Sequence, residues 1–383
     1  MSNKNKKLIT VGIPAFKAQP HICDCLSSIQ IQSIRDDVAI IIANDNPGDN
    51  YDFVKERFPD LDITILDCEV NTGPGLARQR CADAAKTEWI TWIDADDVFY
   101  DPMSLESLRD GITPDCVEVR GIFCQEVDPN PMKVRMMPRA DEGHPWVFGR
   151  MYNLQFLKSN DIKFSKLRAM EDGELNWKVR LSIEGFPVKI NFVEKVVYLW
   201  RKGSEHSITR IGIEENDGTP LYNWDLCQVG ATAASINAIK FCKKKNPFNG
   251  SITRFTVEMM IGQYFTYVQC LEQKPMFAEE NLFNAKRFYH SCYKQIEDQI
   301  DDKVLKTMYT MQYAGHSQDM VGIIPQLTFF QFLDKIKTEE YRGKEEFDEI
   351  RSKLPDWVKE LDEKSGVLGK EGYVYTIDEE ENK

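Results

Sequence analysis

Three carboxylates close one apolar run of this sequence. Trp89-Ile90-Thr91-Trp92-Ile93 is β-favouring, and Asp94-Ala95-Asp96-Asp97 follows at once. A buried carboxylate without partners is costly, so acids that end a buried strand belong at the carboxyl edge of a sheet. Open α/β sheets hold ligands at that edge, and carboxylate oxygens there suit a hard divalent cation carrying a nucleotide's phosphates. A plainer alternative is a solvated turn that starts a helix, with Asp97 as its cap. A second acidic pair lies in Met170-Glu171-Asp172-Gly173-Glu174, ahead of helically spaced Leu175, Val179 and Ile183. Acids at a helix start stabilise its N-terminus without doing chemistry. Downstream of a cation-binding strand, the same pair becomes a candidate proton acceptor.

The elements that must hold these groups follow from apolar spacing. Leu8–Ile13 is a short β-rich run closed by Pro14, and Ile22, Leu26 and Ile29 follow at helical spacing. Val38–Ala43 is almost purely apolar, which predicts a strand buried on both faces, and it ends in the polar turn Asn44–Asp49. Tyr51–Phe58 is predicted helical, Ile63–Leu66 a strand, and Gly75–Ala85 a helix leading to the Trp89–Ile93 strand. This alternation predicts parallel βαβ units and a nucleotide-binding α/β half over the first hundred residues. Val117–Val127 is predicted as a further strand, ahead of the turn Asp128-Pro129-Asn130-Pro131.

At 383 residues the chain has room for two domains. No apolar run approaches the roughly 18 residues that a spanning helix needs. Met1–Lys7 is basic but leads into a strand, not into the apolar core of a signal peptide. The ten cysteines are scattered without a Cys-x-x-Cys pair and are expected to be reduced thiols of a cytoplasmic protein. A net charge of −13 argues against a surface that coats nucleic acid, though not against a local basic site.

Four pieces, in order, carry a family resemblance. Ile13-Pro14-Ala15-Phe16-Lys17, Asn44-Asp45-Asn46, Asn71-Thr72-Gly73-Pro74-Gly75-Leu76-Ala77-Arg78 and Asp94-Ala95-Asp96-Asp97 resemble the family 2 glycosyltransferases. The matching family features are a Pro-x-Tyr-Asn turn, an Asp-Asp-Gly-Ser turn, an Asn-x-Gly…Ala-Arg helix start and an Asp-x-Asp strand end. The resemblance covers roughly residues 8 to 210 and implies a GT-A fold, a Rossmann-like α/β domain with one mixed sheet. It implies a nucleotide-sugar donor held by Pro14, Ala15, Phe16, Asp45, Gly73, Arg78, Asp94, Ala95, Asp96 and Arg201. It also implies Mn2+ or Mg2+, contacted most directly by Asp96, with Asp94 serving the ribose and the metal's water shell. Breaking a sugar–diphosphate bond builds charge on the leaving group, which such an ion neutralises. The Glu-Asp motif makes Asp172 the expected catalytic base, with Glu171 orienting the acceptor or the site, and inversion follows by analogy.

Val196–Ile208 resembles the family's Tyr-x-Tyr-Arg…Ser-Ile segment. Within it His206 is the expected third metal ligand, its plainer alternative being an exposed loop histidine. Arg201 and Lys202 are candidates to bind diphosphate in a loop closing over the donor. Two departures bear on the base: Phe16 keeps a stacking face but lacks a hydroxyl, and Asn44 replaces the first acid of the Asp-Asp pair. Asp45 still offers an acceptor for the imide N–H of uracil. UDP therefore ranks first among carriers without being required.

The resemblance stops near Glu214, where Glu214–Pro220 is an acidic, Gly/Pro-broken linker. The expected division is a GT-A domain over 1–213, with its donor half at 1–100 and acceptor half at 101–213, and a helical domain over 214–383. Helical periodicity marks Trp224–Phe241, Ile252–Leu271 and Glu279–Ile300, with Leu354, Trp357, Val358 and Leu361 docking as one short helix. The chain is expected to be a metal-dependent, inverting, non-processive glycosyltransferase, for it lacks both membrane helices and a Gln-x-x-Arg-Trp sequence. Its acceptor is a glycan precursor or, as a lesser alternative, a modified DNA base met by Lys133, Arg135, Arg139, Arg150 and Arg168. The helical domain shapes the acceptor site or holds a homo-oligomer. The competing expectation is a catalytically idle GT-A module that binds a nucleotide-sugar or a protein partner.

Overall fold

The computed structural model describes residues 7–126, 134–136, 146–184, 187–201, 221–247, 249–315, 322, 323, 325 and 327–365. The chain divides into two compact units, Met1–Ser207 and Ile208–Lys383. In the first, strands and helices alternate as β1 (Ile9–Ala15), α1 (Ile22–Gln30), β2 (Val38–Asn44), α2 (Phe53–Arg57), β3 (Ile63–Leu66), α3 (Pro74–Ala84) and β4 (Trp89–Trp92). Then come β5 (Val98–Phe99), α4 (Ser104–Asp110), β6 (Cys116–Glu126), β7 (Val134–Met136), β8 (Arg150–Asn153), α5 (Leu154–Ser159), α6 (Glu171–Ile183) and β9 (Lys189–Trp200). The nine strands among the described residues form one mixed sheet in the order β3-β2-β1-β4-β8-β6-β9-β5, with β7 on β6.

β1 pairs in parallel with β2 on one side and β4 on the other. Its Ile9, Val11 and Ile13 are fully buried, because helices cover both faces of the sheet there. The chain thus builds outward from β1 to β3 and then returns to β4 on the opposite side. That reversal makes the carboxyl ends of β1 and β4 a topological switch point, where open α/β sheets leave a crevice. Ala15 and Asp94 lie at those two ends. Asp97 does not cap a helix: the next residues, Val98 and Phe99, pair with Leu199 and Tyr198 of β9. A two-residue strand carries too little periodicity to announce itself.

The second unit holds α7 (Leu221–Lys245), α8 (Gly250–Gln273), α9 (Ala278–Ser291), α10 (Asp302–Gly315), α11 (Phe329–Thr338), α12 (Lys344–Lys353) and α13 (Asp356–Ser365). The helix expected over Glu279–Ile300 ends at Ser291. Cys292 leaves helical geometry (φ −134°, ψ −52°), and two short 3-10 turns, Tyr293–Gln295 and Glu297–Gln299, follow. Apolar spacing continues through such turns, so periodicity alone overran the break. Leu354 and Val358 bury against Leu226, Cys270 and Phe277, which docks α13 as its spacing predicts. Arg351 joins four helices through Asp225, Glu280 and Asp362 at 2.7–2.8 Å. No helix among the described residues is long and apolar enough to cross a membrane.

Candidate active site

Two strand ends and two helix starts meet at the switch point. Before α3, the Asp45 carboxylate accepts from Thr72 N at 3.1 Å, Thr72 Oγ1 at 2.6 Å and Gly73 N at 2.7 Å, and it pairs with Arg80. Its acceptor positions thus organise the turn that launches α3. Gly73 is left-handed at φ +87°, and Arg168 braces the same turn through Asn71 at 2.9 Å. A Cβ on Gly75 would lie 3.0 Å from Glu171 Cγ and from the Ser165 carbonyl, so glycine lets α3 approach the start of α6. Trp92 Nε1 donates to the Arg78 carbonyl at 3.2 Å, fixing that residue over the end of β4.

Arg78 is the hub. Its Nη2 pairs with Asp94 Oδ1 at 2.7 Å, and its Nη1 with Glu171 Oε1 at 2.8 Å and Asp172 Oδ1 at 2.9 Å. These acids approach from β4 and from the first turn of α6, which Met170 enters in the left-handed region at φ +64°. A non-glycine residue held there carries about 1–3 kcal/mol of strain, which the surrounding packing must sustain. Tyr152 on β8 supplies part of it, donating to Asn176 of α6 at 2.6 Å. The second oxygen of Asp172 accepts from Val147 N at 3.2 Å.

Burial pushes the Glu171 carboxyl up to about 8 and raises Asp172 as well, while Arg78 pulls both down. Arg150 also draws Asp172 down. Asp94 keeps a third of its side chain exposed, Asp96 is half-buried, and Ala95 between them is buried. Around them, Pro14 is half-buried, Ala15 buried and Phe16 44% exposed, with Lys17 Nζ 5.2 Å from its ring. A polar cleft of about 240 Å³ opens beside Asn44, lined also by Asp49, Tyr51 and Asp67. Arg201 pairs with Asp24 at 2.9 Å. Lys202 and His206 lie outside the described residues, as do Lys133 and Arg139.

Two sets of neighbours escaped the sequence reading. Glu118 is fully buried and accepts from Arg120 Nε at 2.6 Å and Arg150 Nη1 at 2.7 Å. Charged residues inside apolar strand patterns were the available signal, since buried charges pair. Arg150 and Arg168 are thereby held by protein partners, not presented as a basic surface. The second set is Asp97 with Tyr198, whose hydroxyl donates to the Asp97 carboxylate at 2.6 Å.

Residues 10–166 match the model of glycosyl transferase family 2. The chain carries a family 2 glycosyltransferase domain. It is 24% identical over 194 residues to a processive diacylglycerol beta-glycosyltransferase of Mycoplasma pneumoniae, covering 43% of this chain and 56% of that protein. It is also 32% identical over 100 residues to the uncharacterized glycosyltransferase YwdF of Bacillus subtilis, covering 26% of this chain and 36% of that one. The chain thus spans about half or less of the curated relatives it matches. In structure it resembles S. aureus TarS 1-349 in complex with UDP, with a TM-score of 0.55 and 15% identity over 88% of this chain and 93% of that one. That likeness and the sheet order agree on a GT-A fold followed by a helical region.

Proposed function

We propose that this glycosyltransferase domain moves one sugar per encounter from a nucleotide-sugar, UDP-linked first of all, to a hydroxyl of an acceptor, with inversion at the anomeric carbon. One observation carries this reading: a single buried guanidinium, Arg78, holds the donor-strand acid Asp94 and the pair Glu171–Asp172 in one cluster at the switch point. An acid that serves the leaving side and a base that serves the attacking side are thereby in register. In-line displacement needs that arrangement.

Asp172 takes the acceptor's proton as its oxygen attacks the anomeric carbon and the bond from sugar to diphosphate breaks. The hydrogen bond from Val147 N and the pair with Arg78 hold the carboxylate in one rotamer. Glu171, sharing Arg78, orients the site. The base end of the donor lies against Phe16, with Asp45 keeping the turn in shape. A Mn2+ or Mg2+ ion would be held by Asp96 and Asp94, with His206 as third ligand, and would offset charge on the departing diphosphate. The donor set fits such an ion, since both carboxylates keep solvent-facing surface at the end of β4. Magnesium-type ions are commonly held by one or two carboxylates plus phosphates.

The acceptor class favoured is a glycan precursor, because two of the five basic residues that a nucleic-acid acceptor would require are tied to Glu118 and Asn71. A reducing compartment is the reading that ten cysteines scattered without a Cys-x-x-Cys pair favour. A thermal-shift panel of nucleoside diphosphates and sugar nucleotides, each with Mn2+, Mg2+ or EDTA, tests the donor. Ligand at a hundred times its Kd adds about 2.7 kcal/mol. Product analysis with the responding donor then reads stereochemistry and the number of sugars added. Absence of a shift with every nucleotide would favour an idle binding module.

A further inference from the structure

The last acid of Asp94-Ala95-Asp96-Asp97 has no part in the reaction proposed above, yet it is the most deeply buried of the three. Asp97 is 1% exposed. Its Oδ2 accepts the Tyr198 hydroxyl at 2.6 Å, and its Oδ1 accepts Arg201 N at 2.8 Å. The same Tyr198 oxygen accepts the Asp94 amide at 3.2 Å, and Asp97 N donates to the Asp94 carbonyl at 3.0 Å. Every hydrogen is therefore assigned: Asp94 N–H to the tyrosine oxygen, the tyrosine O–H to Asp97, and Arg201 N–H to Asp97. Tyr198 is itself immobilised, fully buried on β9 with its ring stacked 4.7 Å from Phe148. Two elements a hundred residues apart in sequence are thus closed on one carboxylate.

This arrangement is poor engineering for stability alone. Burying a carboxylate is costly, and Asp97 is almost wholly buried in a turn that already holds two other carboxylates, Asp94 and Asp96. An asparagine would accept the Arg201 amide equally well and carry no charge. A carboxylate is needed only if both oxygens must accept at once, so that the turn and the tyrosine stay in one geometry.

We infer that Asp97 and Tyr198 form a positioning clasp, which holds the Asp94–Asp96 turn and the Arg201 end of β9 in the geometry that receives the metal–diphosphate part of the donor. Neither group touches substrate. Asp97 fixes the backbone that aims Asp94 and Asp96, and the clasp rests on the function proposed above.

The test uses the full chain with Asp97→Asn, Tyr198→Phe and both together. Binding of UDP in the presence of Mn2+ is measured by calorimetry, thermal midpoints by scanning, and donor KM and kcat with the donor identified in the panel. Asp97→Asn keeps or raises the midpoint, while UDP–Mn2+ affinity falls about tenfold or more and donor KM rises in step. At saturating donor and metal, kcat falls less than kcat/KM does, because Asp172 is untouched. Tyr198→Phe, which removes one oxygen, gives the same split, and the double variant loses no more than the worse single one. A purely structural pair would lower the midpoint and the active fraction without moving KM. If wild type binds UDP–Mn2+ and the variants bind it equally well, the clasp is refuted while the proposed function stands. If wild type binds no nucleoside diphosphate with or without metal, the function and the clasp fall together.

Discussion

Replacing Arg78 by methionine removes the one cation shared by Asp94, Glu171 and Asp172 while keeping an unbranched apolar stem. Arg78, Glu171 and Asp172 have side chains only 5%, 8% and 10% exposed, so the variant strands two carboxylates where water scarcely reaches. Breaking a buried pair in this way costs about 3–5 kcal/mol. Asp94, a third exposed, adds little because solvent screens it. For a unit of this size, the loss lowers the first unfolding transition by about 6–20 °C. The pH dependence identifies the cause. Burial already raises Glu171 from 4.5 to about 8, so the folded state binds more protons than the unfolded one between those values. Stability tied to Glu171 is therefore complete below about 4.5 and is lost as pH rises through about 8. Without Arg78, both carboxyls take up protons more readily still, and the stranded charge disappears in acid. Scanning calorimetry of wild type and variant at about pH 5.5 and about pH 8 should find the deficit much larger at the higher pH. An equal deficit at both would refute the electrostatic account and leave only lost packing.

Three further outcomes follow. Asp172→Asn should lower transfer by about 10²–10⁴-fold while UDP affinity, read by calorimetry, stays at the wild-type value; unchanged turnover would remove Asp172 as the base. Gly75→Ala sets a methyl 3.0 Å from the Ser165 carbonyl and Glu171 Cγ, which should destabilise by about 1–3 kcal/mol and reduce activity by displacing the start of α6; a denaturation midpoint equal to wild type would show that α3 and α6 yield freely. In the helical unit, Arg351→Met leaves fully buried Asp225 and Glu280 without their cation, costing about 3–5 kcal/mol. Because Glu280 is already raised to about 8, urea denaturation should find this cost eased in acid, and a cost independent of pH would contradict the pairing.

Local pattern determined a good deal of this protein. The β-rich run Ile9–Ile13 and the almost purely apolar run Val38–Ala43 are short and closed by Pro14 and a polar turn, as strands covered on both faces are, and the helix between them implies a parallel crossover. The acids after Trp89–Trp92 then fall at a carboxyl edge, which is why the end of β4 and the acidic start of α6 are legible from residue type and spacing. Helix ends were less so: the aromatic spacing beyond Ser291 persists although the backbone has left the helix.

Only the tertiary structure decided which charges meet. Arg78 finds Glu171 and Asp172 from 93 and 94 residues away, Arg150 finds Glu118, and Tyr198 finds Asp97 across 101 residues. Periodicity says which face a side chain occupies, but strand order and register decide what stands opposite it. Here the return of the chain to β4 beside β1, and the pairing of β5 with β9, bring those partners together. A buried charge accepts only a partner at hydrogen-bond distance, and that distance is a property of the folded sheet.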